Sequence, residues 1–145
     1  MAASGKLYGL AFKSMVNGEI NWTSHTIKAM LCTSAYTPNQ DTHQYKSSVT
    51  NESAGTGYTA GGVALAGKTV NYTAGTNTLV LDASDTQWPD STVTGRYLVL
   101  YDDTPSTDAT KPLIGYIDFG ADVSTTAGVF TSVWDAAGII GFTTP

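Results

Sequence analysis

Apolar residues along most of this chain recur at every second position, the repeat of a β-strand, and only one stretch keeps the three-and-four spacing of a helix. That stretch is residues 4–18, where Leu7, Leu10, Ala11, Ser14 and Met15 share one helical face, Ser4 can cap the start and Asn17-Gly18 can stop it. From Thr26 the period changes. Ile27, Ala29 and Leu31 alternate with Lys28, Met30 and Cys32, which predicts a strand with one face inward. Residues 36–58 hold almost no aliphatic side chains, so they form either a functional loop or a loop with a helical turn near 42–49. Residues 63–73 and 78–82 read as a hairpin closed by Ala74-Gly75-Thr76-Asn77. Val63 and Leu65 differ in parity from Val70 and Tyr72, and a bulge at Gly67 would return all four to one face. Residues 97–101 are apolar at both parities, which marks a central strand covered on both sides. Further strands are expected at 113–119, 129–134 and 139–143.

These elements predict an all-β fold, a β-sandwich or barrel-like domain of about six or seven strands with a short N-terminal helix against one edge. One domain over residues 1–145 is expected, with 1–18 as an N-terminal arm and helix. Composition sharpens the picture. Charged residues make up 13% of the 145, half the share of about 25% in an average domain, so uncharged side chains must supply the polar surface. The chain holds 23 Thr and 12 Ser, and threonine suits a half-buried pleated surface. The net charge is −5 and the single arginine is Arg96, leaving no basic stripe for phosphates and no expectation of direct nucleic-acid binding. No apolar run reaches the roughly 18–20 residues of a membrane span, and the start lacks the apolar core of a secretion signal, so synthesis in the cytosol without membrane partners is expected. The sole cysteine, Cys32, can form neither an internal disulfide nor a cysteine-based zinc site; it is expected to be structural and unreactive.

The sharpest motif is Gly62-Val63-Ala64-Leu65-Ala66-Gly67-Lys68-Thr69, a full match to the phosphate-binding loop, with Asp102 closing an apolar run as a magnesium-holding carboxylate would. Phosphate binding requires a preceding hydrophobic strand and a helix that begins at the Lys-Thr pair. Both flanks fail here, because glycines precede the motif and Val70-Asn71-Tyr72-Thr73 reads as a strand, so Lys68 is assigned to a strand surface. His25 and His43 lie in polar stretches, with Asp41 the only carboxylate close to the second, too few ligands for a metal. Asp102, Asp103 and Asp108 do not match a calcium loop, and no nucleophile elbow accompanies the histidines. Glycosylation-type triplets at Asn21, Asn51 and Asn71 are background in so Thr-rich a chain. Trp22, Trp88 and Trp134 are assigned to packing over a sugar platform. No catalytic residue, cofactor or metal is expected, and the chain is read as no enzyme.

Three blocks carry a resemblance. Residues 31–43 (LCTSAYTPNQDTH), residues 55–62 (GTGYTAGG) with 65–70 (LAGKTV), and residues 111–122 (KPLIGYIDFGAD) with 128–131 and 134–139 are similar in order and spacing to a family of small tailed-bacteriophage virion proteins. The family is described as capsid decoration (cement) or minor capsid proteins. The resemblance implies a virion structural protein at the capsid surface, made in the bacterial host, with the major capsid protein as partner and a homo-oligomer, a trimer at threefold positions, as its form. A tail or fibre component is the alternative within that class, and a carbohydrate-binding module the alternative outside it. Contact with sister copies or with the shell is expected from the N-terminal segment, through Met1, Ala2 and Leu7, and from the loop framed by Tyr36 and Tyr45, since tyrosine is enriched at interfaces.

Overall fold

The computed structural model describes residues 3–145, which form ten strands and one α-helix. The fold is all-β and sandwich-like. Strands β1 (Ser4–Leu7), β8 (Leu113–Ser124), β7 (Thr94–Asp102), β2 (Ile27–Cys32) and β3 (Val63–Ala64) lie in that order in a five-stranded sheet. A three-stranded sheet has the order β10 (Ile140–Thr143), β5 (Thr78–Asp82), β4 (Thr69–Thr73), and β6 (Thr86–Ser91) pairs with β9 (Gly128–Ser132). Among the described residues the strands pair antiparallel throughout.

Strand β7 holds the middle position predicted for a strand apolar at both parities. Its Leu98 and Leu100 join Ile27, Ala29 and Leu31 of β2 in a core completed by Leu81, Trp88, Phe130 and Ile140 from the smaller sheets. Its Val99 and Tyr101 turn the other way, onto Met30 and Cys32. The expectation that β2 has only one inward face is therefore corrected. Helix α1 (Gly9–Val16) and the 36–45 loop lay Tyr8, Ala11 and Tyr36 over the second face, so five of the six residues of β2 are buried.

The helix stops as predicted, with Asn17 at its C-cap and Gly18 at φ +74°, but begins at Gly9. Residues 4–7 instead form β1, paired from Ser4↔Asp118 to Leu7↔Gly115, because edge pairing with β8 satisfies their backbone groups where a lone extra helical turn would not. The loop carries a single 3-10 turn, Lys46–Ser48. The hairpin closed at residues 74–77 is present as β4 and β5, but Gly67, at φ +61°, is no bulge within one strand. It lies where the chain crosses from β3 in the large sheet to β4 in the smaller one. Strand β6, which is not among the expected strands, contains Pro89. The proline lies inside a register shift between Trp88 and Ser91 of the β6–β9 ribbon, where a missing N–H is tolerated.

One glycine fixes the approach of the 55–62 segment to the sheet. Gly62 has φ +79°, and a Cβ on it would overlap the carbonyl oxygen of Ala29. Gly62→Ala should therefore cost at least about 2 kcal/mol, from the left-handed backbone together with the backbone overlap. Gly75→Ala, with nothing within 4 Å of the added carbon, should stay within about 0.5 kcal/mol. Urea denaturation of the two variants checks the contrast.

Candidate interaction surface

The residues expected to make contacts fall in different places. Met1 and Ala2 lie outside the described residues. Leu7, the last residue of β1, is half-buried against the core and borders a groove of about 560 Å³ between β1 and the 133–141 segment. Val133 stands exposed at this groove, Trp134 and Ile140 form part of its wall, and Lys6 and Asp135 supply its charges. Tyr45 is half-buried, and its hydroxyl donates to Glu19 at 3.4 Å.

Tyr36 is the correction among them, since it is 1% exposed and packs inward. Its hydroxyl lies 2.8 Å from that of Tyr8 and is hydrogen-bonded to Nδ1 of His43 at 3.0 Å. Burial raises the Tyr8 hydroxyl far above its usual range and pushes Tyr36 up to about 12, while burial lowers His43. These groups therefore stay neutral and hold the loop to the sheet by hydrogen bonds. A loop with few aliphatics is anchored by phenols, which bring a large apolar ring and a polar tip together.

The structure also joins residues that the sequence left apart. His25 Nδ1 lies 2.6 Å from Oδ2 of Asp102, whose other oxygen accepts the Thr104 N–H at 3.0 Å. The ammonium of Lys68 donates to the His25 carbonyl. Burial lowers the Lys68 pKa, and the Asp102 charge opposes that shift. A histidine on a buried carboxylate is half of a hydrolytic triad. Among the described residues no serine or threonine hydroxyl is hydrogen-bonded to the His25 ring. The cluster instead clamps the start of β2 to the end of β7. Since β4 begins at Thr69, no helix faces the Gly62–Thr69 motif, and Lys68 is occupied by a backbone oxygen.

The remaining acids of that loop are paired with cations. Asp103 meets Lys28 at 2.7 Å and Lys111 at 2.8 Å, and Asp108 meets Lys46 at 2.9 Å and Lys111 at 3.3 Å. Among the described residues no three His, Cys, Asp or Glu side chains cluster to hold a metal ion. All three tryptophans are core residues, at 5%, 1% and 8% exposure for Trp22, Trp88 and Trp134, so none presents the open ring face that a sugar platform needs. The pairing of His25 with Asp102 had no signal in the sequence beyond the carboxylate closing an apolar run.

No protein-family model matches the chain, and neither a curated protein nor a solved structure matches it.

Two measurements follow from these environments. Cys32 is fully buried, and burial first, then the Glu52 charge, pushes its thiol up to about 12. Labelling of the native protein by a thiol reagent at neutral pH should be at least about a thousandfold slower than labelling of free cysteine. The acid side of stability should depend on Lys111. Burial alone would raise Asp103, but hydrogen bonds from Lys111 and Lys28 outweigh it and hold the carboxyl below 3.8; the hydrogen bond from Lys46, with that from Lys111, does the same for Asp108. A depressed carboxylate stabilises the fold above its unfolded pKa and loses that contribution as pH falls through the folded value. Lys111→Met should therefore melt below the parent protein at neutral pH, with the gap closing between about pH 5 and about pH 2. Thermal melts across that range check it.

Proposed function

We propose that this chain is a non-enzymatic phage virion structural protein, a capsid decoration protein that binds the assembled head shell and stabilises it against internal DNA pressure. The observation that carries the reading is where the phage-like residues lie. In the 55–62 segment a Cβ on Gly55, Gly57 or Gly62 would run into the backbone of Thr92, Asp90 or Ala29. Residues 113–119 are the inner half of β8, and Trp134 and Ile139 belong to the core packing. The residues that carry the resemblance are thus ones that form strands, turns and core of this fold. The resemblance assigns no reacting group, which suits a protein whose function is its shape.

On this reading the partner is the major capsid protein, the location is the outer surface of the head, and a trimer at threefold positions is the form on the shell. The chemistry of cementing is linkage. A protein that binds the assembled shell and not its dissociated subunits stabilises the shell by about 2.7 kcal/mol per site at a hundredfold excess over Kd. Many such sites act together against one internal pressure.

The test is to add the purified full-length protein to heads that lack it, heat them and follow DNA release. Saturable binding and release at a higher temperature are expected. Binding to tails but not to heads would support the tail reading, and binding to neither would overturn a virion role.

A further inference from the structure

We propose that strand β4 is a docking edge for a second copy of this chain, the two β4 strands pairing antiparallel across a twofold axis through Asn71. Strand β4 closes one side of the three-stranded sheet and has β5 as its only strand neighbour among the described residues. All five of its residues are exposed. Its Val70 and Tyr72 are 42% and 58% exposed. They share a face with Leu79 and Leu81 of β5, their register partners, and with Phe142 and Ile140 of β10 beyond. That apolar face continues to Phe12 of the helix, whose ring centroid is 5.9 Å from that of Phe142. The inner face of the sheet therefore runs out past the core and ends at an unpaired strand.

The hydrogen bonds fix which backbone groups point outward. Thr144 N–H donates to the Asn77 carbonyl at 3.0 Å and Ile139 N–H to the Leu81 carbonyl at 2.9 Å, so the odd-numbered residues of β5 turn toward β10. The even-numbered residues turn toward β4. Because Asn71 is opposite Val80, the residues of β4 that bond to β5 are Thr69, Asn71 and Thr73, and the N–H and C=O groups of Val70 and Tyr72 face away.

An edge of this kind is normally blunted by charge, proline or brevity. Edge strand β1 carries Lys6, β3 is two residues long, and β6 carries Pro89 and Asp90. Strands β9 and β10 also lack charge and proline, but each is tied down by buried side chains, Phe130 and Ser132 in one and Ile140 in the other, whereas every residue of β4 is exposed. Strand β4, Thr-Val-Asn-Tyr-Thr, has none of these devices, and residues 69–77 contain no charged side chain.

A second copy is the occupant because the strand is complementary to itself. With the axis at Asn71 all five residues overlap, Val70 and the partner's Tyr72 exchange two hydrogen bonds, and Tyr72 and the partner's Val70 exchange two more. An aromatic residue then faces a β-branched one on the apolar side, and Thr69 faces the partner's Thr73 on the other, both favourable cross-strand pairs. The chain carries −5 overall, yet no charge meets its like across this seam. The pairing would join the two small sheets into one of six strands. It closes at two copies, so it is a contact separate from any threefold arrangement on a shell and holds whether or not the protein decorates one.

The experiment uses the full chain in solution without any shell. Sedimentation over a concentration series should reach a mass twice the 15.2 kDa of one chain. Val70→Pro removes an N–H that faces away from β5, so it should keep the β circular dichroism spectrum and sediment as a monomer. Asn71 stands opposite the partner's Asn71 at a non-hydrogen-bonded position, the closer of the two cross-strand spacings. Asn71→Cys should therefore form a reducible disulfide-linked dimer, while Thr73→Cys, away from the axis, should not. A protein that stays monomeric at every concentration, an oligomer unchanged by Val70→Pro, or equal crosslinking at positions 71 and 73 would overturn the proposal.

Discussion

Two neighbouring strands with no polar face set the requirement that the rest of this fold meets. Strands β2 and β7 bury side chains on both sides, and burial of each large aliphatic residue contributes roughly 1.5–3 kcal/mol only if something covers it. The three-stranded sheet and the β6–β9 ribbon cover one side with Leu81, Trp88, Phe130 and Ile140. The other side has no sheet. It is closed by two turns of helix and by an irregular loop that reaches in with Tyr36.

Irregular backbone next to a core brings polar groups with it, and most of these are matched. The Tyr8–Tyr36–His43 chain satisfies the phenols under the loop, Ser53 Oγ donates to the Thr94 carbonyl at 2.6 Å, and Glu52 accepts from Tyr58 Oη and the Gly61 N–H. The exceptions concentrate on β6, where Thr86 Oγ1 and Trp88 Nε1 are buried without a partner among the described residues. Both lie on the stretch of β6 that is in register with β9, ahead of the shift at Pro89, so backbone pairing there does not extend to these two side chains.

Much of the architecture was legible in the chain because parity is a strong signal where a strand is buried. The two-sided pattern of residues 97–101 located the middle of the large sheet, and the turn residues 74–77 located the hairpin. What parity could not show was which sheet a strand joins. Val63 and Val70 look like one interrupted strand, and only the positive φ at Gly67 separates β3 from β4. Residues 4–7 fit a helical face as well as an edge strand, and tertiary pairing with β8 decides between them. Strand β6 is missing from the expected strands because a proline is a turn signal in sequence, yet a two-stranded ribbon tolerates Pro89. The contact residues were harder still, since an isolated tyrosine in a polar loop serves a core or an interface with the same sequence signature; Tyr36 does the first.

The pairing of Ser4 with Asp118 places β1 beside a strand synthesised more than a hundred residues later. At roughly 5–20 residues per second this separates β1 from its partner by something on the order of ten seconds. Strand β2 waits roughly two-thirds as long for β7, and Leu81, Trp88, Phe130 and Ile140, which cover its Ile27 face, all emerge well after it. The nascent chain therefore exposes the Ile27 face of β2 until these later residues emerge, and its yield in the cell depends on what shields that surface in the interval.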